Sequence, residues 1–148
     1  MTGAPMTRER LYLFDTTLRD GAQTTGVDFS LADKRRVADL LDGLGIDYIE
    51  GGFPGANAVD TELFTTKPDF TAATFTAFGM VKRAGRSVEN DPGLQAVLTS
   101  KADAICLVAK AWDYHVRVAL GITNEENLDS IAQSMRAIVA GGREAMLG

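Results

Sequence analysis

The sequence contains a single cysteine, Cys106, and a single histidine, His115. The first excludes an internal disulfide, and the second excludes a histidine-rich metal centre built by this chain alone. Positive charge is also scarce: a net charge of −5 and a pI near 4.8 argue against a nucleic-acid-binding surface. No apolar run approaches the ~20 residues of a membrane span, so no membrane partner is expected. Met1 to Arg10 lack the apolar stretch of a signal peptide and read as a polar, disordered leader, which makes a reducing cytoplasm the expected setting. With 45% apolar and 24% charged residues among 148, the chain has the composition of one soluble domain with a real core.

What is present is a repeating alternation of apolar runs and capped helices. Leu11–Phe14 reads as a parallel strand buried on both faces. Ser30 and Asp33 form a capping-box pair, Val37, Leu40, Leu41 and Leu44 follow at helical spacing, and Gly45 supplies the stop. Residues 46–50 read as a second strand leading into the turn-rich Gly51-Gly52-Phe53-Pro54-Gly55. Asn57 caps a short helix whose inward positions are Val59, Leu63 and Phe64. Residues 71–78, β-branched and aromatic, predict a third strand. Asp91-Pro92 is an N-cap followed by proline at the first helical position, with Leu94, Val97 and Leu98 inward. Residues 104–109 predict a fourth strand. Thr123 and Glu126 repeat the capping box before Leu128, Ile131, Met135, Ile138 and Val139, and Arg143 to Gly148 carry no pattern. The predicted strand starts near 11, 47, 74 and 104 have the spacing of βα units in a (β/α)8 barrel. Four such units make about half a barrel, and a small doubly wound sheet is the alternative.

The chemistry-bearing residues gather at predicted C-terminal strand ends, where parallel α/β proteins build their sites. Asp15 and Asp20 follow strand 1, where an aspartate suits a hard divalent cation. Arg19 could fork onto a carboxylate or a developing enolate oxygen, and Gln23 could bond the same substrate. The residues alone leave open a structural reading, in which Asp15 and Arg19 pair and Asp20 forms a turn. Glu50 ends strand 2 on the same rim, with a solvated carboxylate as the structural alternative. His115 follows strand 4 and could hydrogen-bond a substrate carbonyl or shuttle a proton, while Trp112 reads as packing. Lys82, Arg83 and Arg86 could meet a phosphorylated tail or form a solvated loop. Cys106, inside an apolar strand, reads as a small core residue.

The run Phe14-Asp15-Thr16-Thr17-Leu18-Arg19-Asp20-Gly21-Ala22-Gln23 resembles the signature of the metal-dependent TIM-barrel synthases and lyases that act on acyl-CoA enolates. Ile49 to Gly55 resembles the second strand of the synthases, and Phe78-Gly79 with the basic residues after it, Asp91 to Ala96 and Lys110 to Val116 resemble the citramalate synthase branch most closely, so the likeness covers about residues 11–145. It implies residues 11–148 to be the N-terminal half of a catalytic TIM barrel, from a truncated or split gene. It implies an acyltransferase condensing acetyl-CoA, as co-substrate, with pyruvate to give citramalate for isoleucine synthesis. Synthases using another 2-oxo acid, such as the isopropylmalate and homocitrate enzymes, and a non-catalytic half-barrel are the alternatives. The resemblance implies a divalent metal ion (magnesium, manganese or zinc) with Asp20 as a ligand. Arg19, Glu50 and His115 would be catalytic, and Gln23, Arg19 and Lys110 would bind substrate. Its further ligands, a His-x-His pair and an asparagine on late strands, have no counterpart here. The implied partner is therefore a complementary C-terminal half or a second copy.

Overall fold

The computed structural model describes residues 9–148. Most of the expected leader lies outside them. Its last residue, Arg10, is tethered: it donates to Asp47 at 2.6 Å and stands over the Tyr12 ring, 4.6 Å from its centroid.

Five parallel strands pair in chain order: β1 (Phe14–Asp15), β2 (Tyr48–Gly52), β3 (Thr74–Met80), β4 (Ala104–Val108) and β5 (Glu144–Leu147). The crossovers carry α1 (Leu31–Gly43), α2 (Ala58–Leu63), α3 (Pro92–Leu98), α4 (Asp113–His115), which runs on into a π-helical turn (Val116–Leu120), and α5 (Asn124–Ala140). A doubly wound sheet reverses its strand order at a switch point. This sheet never reverses, and each unit adds to the same edge, as in a barrel. The sheet also curls. The Tyr48 hydroxyl on β2 donates to the Glu144 carboxylate on β5 at 2.9 Å. In a flat sheet those strands would lie roughly 14 Å apart, beyond the reach of both side chains. The architecture is a curled half-barrel.

The expected helix starts are all observed. Ser30–Asp33 and Thr123–Glu126 form reciprocal capping boxes, and the Asn57 and Asp91 side chains accept from the N–H groups of Asp60 and Leu94. Two expectations about strands are corrected. The tail that looked patternless contains β5, a fifth parallel strand. Leu11 to Leu13 are not buried on both faces but 85%, 59% and 57% exposed, and β1 is only Phe14–Asp15, because it is an edge strand paired to β2 alone. The α1 stripe is also narrower than its spacing implies: Leu40 and Leu44 are exposed, and Lys34, Val37, Ala38 and Leu41 form the inward line.

Alternation along the strands sorts two environments. Phe75, Ala77, Ile105 and Leu107 point outward and pack with Leu63, Phe64, Leu94, Val97 and Ile138 of the helical layer. Phe75 stacks on Phe64 at a centroid distance of 4.4 Å. Tyr48, Glu50, Thr76, Phe78, Cys106 and Glu144 alternate with them and face the concave side.

Asp42, near the end of α1, fixes the approach to β3. Its carboxylate accepts from the backbone N–H groups of Thr71, Ala72 and Ala73 at 2.9, 2.8 and 2.7 Å and from the Thr71 hydroxyl at 3.0 Å. The Thr71 and Ala73 bonds lead in lowering its pKa to about 2. Because the folded pKa is depressed, this stabilisation is complete above the ordinary aspartate range and is lost as pH falls through it. Asp42→Ala therefore has a lower unfolding midpoint than the parent chain at neutral pH, and the gap closes as pH approaches 2. Urea titrations of both chains across that range measure it, and a gap independent of pH would contradict the assignment.

Candidate active site

The stretch after β1 folds as a tight turn. The Thr16 carbonyl accepts from the N–H groups of Arg19, Asp20 and Gly21 at 3.1, 2.8 and 3.1 Å. Asp15 holds the turn from below, accepting from the Thr17 N–H at 2.9 Å and its hydroxyl at 3.1 Å. Asp15 is thus a turn-holding residue, and its partner is Thr17, not Arg19.

Arg19 leaves the turn toward the concave face. Its Nε donates to Glu50 Oε2 at 2.7 Å and its Nη1 to Asp20 Oδ1 at 3.1 Å, and the guanidinium lies over the Phe78 ring at 4.1 Å from its centroid. Three elements therefore position one guanidinium: the β1 turn, the end of β2 and the end of β3. Arg19 Nη2 has no protein partner among the described residues, so donor capacity remains for an incoming anion. Glu50 is 1% exposed, which removes the solvated-carboxylate reading. Burial raises its pKa, the hydrogen bond and charge of Arg19 oppose that rise, and the charge of Asp20 adds to it.

A cleft of about 390 Å³ opens beside this pair. Arg19, Gln23, Phe29, Phe53, Asn57 and Phe78 are among the residues that line it. Arg19, Gln23 and Glu50, singled out from sequence, thus meet at one rim, with Gln23 exposed at the cleft. Asp20 is 61% exposed, with one oxygen turned to Arg19 and the other without a partner among the described residues. A hard divalent cation needs several oxygen or nitrogen donors. No group of three or more acidic, histidine or cysteine side chains able to hold a metal occurs among the described residues. Asp20 can offer one ligand, and this set does not by itself fit a metal centre.

His115 and Lys110 are not in contact with that cluster. His115 is exposed beside Trp112 and Tyr114, with ring centroids at 4.6 and 6.1 Å, so Trp112 is an exposed ring-stacking residue and not core. The Lys110 carbonyl accepts from Asn127, and its side chain borders a second cavity of about 500 Å³ between the ends of β3 and β4 and α5. Lys82, from the basic loop whose sequence leaves open both an anion-meeting and a solvated reading, is 4% exposed, with its ammonium donating to the Arg86 carbonyl at 2.8 Å. Cys106 is half-buried on the concave face, where burial raises its thiol pKa.

Sequence reasoning missed Lys34 and Asp60, a buried ion pair between α1 and α2. The available signal was a lysine on the apolar side of an amphipathic helix, four residues after the cap Ser30 and four before the buried Ala38.

A curled half-barrel of parallel βα units, with an arginine and a buried carboxylate on the concave side of its strands, has the architecture of part of a TIM barrel. The chain belongs to the HMGL-like family, whose model matches residues 10–147. It is 43% identical over 150 aligned residues to the (R)-citramalate synthase of Streptomyces coelicolor, covering 99% of this chain and 28% of that protein. It is 44% identical over 129 aligned residues to that of Aquifex aeolicus, covering 86% of this chain and 24% of that protein. The chain thus spans about a quarter of the length of these relatives. The HMG-CoA lyase structure from Bacillus subtilis superposes with a TM-score of 0.71 at 18% identity, covering 95% of this chain and 46% of that one, a likeness of fold. No helix among the described residues is long and apolar enough to cross a membrane.

The pH dependence of stability tests the Glu50 environment. The folded chain binds the Glu50 proton more tightly than the unfolded chain does. Stability relative to Glu50→Gln is therefore greatest below the ordinary glutamate range and declines as pH rises through it toward the raised folded value. Unfolding midpoints of the two chains across pH check this. A parent chain that gains on the variant with rising pH would show that the attraction of Arg19 outweighs burial.

Proposed function

We propose that the chain is the N-terminal half of the catalytic barrel of a citramalate synthase-like acyltransferase, condensing acetyl-CoA with pyruvate. The observation that carries this reading is the Arg19 guanidinium, held by Glu50 and Phe78 at the strand-end rim with donors left for an anion. Identity of 43% to an (R)-citramalate synthase, against 32% to a 2-isopropylmalate synthase of Sulfurisphaera tokodaii, supports pyruvate as the 2-oxo acid.

In the reaction the methyl group of acetyl-CoA loses a proton. The resulting carbanion forms a carbon–carbon bond to the ketone carbon of pyruvate, and the ketone oxygen takes up a proton. Water then cleaves the thioester and releases the coenzyme A thiol. Arg19 binds the 2-oxo acid and stabilises negative charge developing on oxygen, acting from a site partly shielded from water. Gln23 bonds the same substrate from the cleft wall. Glu50 orients Arg19 and holds or releases a proton beside it. Lys110 and His115, on the β4 side, contact the substrate across the closed barrel. Asp20 would offer one ligand to a divalent cation, whose chemistry would be Lewis-acid polarisation, but the described residues do not complete a metal centre.

The test measures coenzyme A release, with a thiol reagent, from acetyl-CoA and pyruvate, 2-oxoisovalerate or 2-oxoglutarate in turn. The chain alone turns over none of them. Combined with the C-terminal half of a citramalate synthase barrel, it turns over pyruvate in preference to the other acids, and Arg19→Ala lowers that rate by about 10²–10³-fold. Preference for 2-oxoisovalerate would move the assignment to the isopropylmalate branch. Release at the same rate with Arg19→Ala would overturn the assigned role of Arg19.

A further inference from the structure

We propose that Lys34 is a positioning residue, a clamp that sets the Arg19–Glu50 pair by bonding the backbone next to each partner. Its ammonium, on α1 and 4% exposed, donates to the Leu18 carbonyl at 2.8 Å, to the Gly51 carbonyl at 3.0 Å and to the Asp60 carboxylate. Leu18 immediately precedes Arg19, and Gly51 immediately follows Glu50. A lysine ammonium has three donors and no acceptor, so these three contacts saturate it.

The β1–β2 ladder explains why a clamp is needed. Its last register pair is Asp15 with Ile49, so beyond it no ladder bond ties the turn bearing Arg19 to the strand bearing Glu50. Lys34 supplies the missing cross-link through two carbonyls. Asp60 anchors the ammonium and is itself held, accepting from the Phe53 N–H at 2.8 Å on its other oxygen. A Cβ on Gly52 would meet the Asp60 carboxyl carbon at 2.5 Å, so the glycine leaves the room in which the carboxylate sits. The ion pair neutralises the ammonium, and the two carbonyl bonds do the positioning. The importance of this clamp for turnover rests on the acyltransferase reading; its effect on Arg19 does not.

The experiment uses the ¹⁵N-labelled chain and follows hydrogen exchange of the Arg19 Nε–H, identified by its loss in Arg19→Lys. Lys34→Met/Asp60→Leu removes both charges together, which leaves no unpaired buried ion and favours a folded variant. Its β3 and β4 amide resonances stay in place, whereas exchange of the Arg19 Nε–H accelerates and pyruvate affinity falls, each by about tenfold or more. Asp60→Asn keeps both Lys34–carbonyl bonds. It lowers the unfolding midpoint but leaves the Nε–H exchange rate within about twofold of the parent. Parent-like Nε–H exchange in the folded double variant overturns the clamp. So does accelerated exchange in folded Asp60→Asn, which decides the question even where the double variant does not fold. A parent chain with the expected Nε–H behaviour but no pyruvate binding leaves the clamp standing and counts against the acyltransferase reading.

Discussion

A lysine ammonium taken out of water must find three acceptors or lose its charge, and that demand organises this half-barrel. Lys34 meets it with the Leu18 and Gly51 carbonyls and the Asp60 carboxylate, from three different segments. α1, the β1 turn, the end of β2 and α2 therefore converge on one atom. A buried ion pair is weak evidence for net stability, because desolvation offsets most of its attraction. What it contributes is specificity: shifting any of the four segments leaves a buried donor or acceptor unpaired, which costs more than losing an apolar contact. The Leu18 side chain, fully buried with Ala38 and Ile49, adds an apolar lock to the same junction.

The clamp delivers two side chains of opposite character to one rim. Arg19 sits between a carboxylate and an aromatic face, a planar cation that bonds the first through its N–H edge while stacking its face on the second. Glu50 is held in balance, since burial raises its proton affinity and Arg19 opposes the rise. On the proposed reading, a 2-oxo acid drawn to the remaining donors of Arg19 brings a second negative charge toward Glu50. That charge favours the protonated form of Glu50, so substrate binding and proton uptake are coupled at one site.

Local chemistry makes much of the fold readable in the sequence. Ser30, Asn57, Asp91 and Thr123 cap the helices they were expected to cap, because a short polar side chain ahead of an apolar period acts within a single turn. Arg19, Gln23 and Glu50 were legible because strand ends in parallel α/β proteins share a rim. The long-range terms were not. β5 is four residues long and owes its strand state to hydrogen bonds with β4, which its own sequence does not advertise. Leu11 to Leu13 read as a buried strand because apolarity reports what a segment can bury, not whether anything covers it. Lys34 looked like one more charge on an amphipathic helix, and its role depends on carbonyls 16 and 17 positions away.

The same geometry explains why the candidate site is half-furnished. A barrel of eight strands closes by pairing its last strand with its first, whereas among the described residues β1 and β5 are the two unpaired edges of a five-stranded sheet. Arg19 and Asp20 follow β1, at one of those edges. Glu50, one strand further in, is already buried by Arg19 and its neighbours. Asp20, whose second oxygen faces no described side chain, is 61% exposed. The carboxylate one strand further in is desolvated and paired, and the two residues with unspent capacity, Arg19 and Asp20, stand at the open edge. On the proposed reading, Asp20 keeps its free oxygen for groups that would approach from further strands closing the edge beside it.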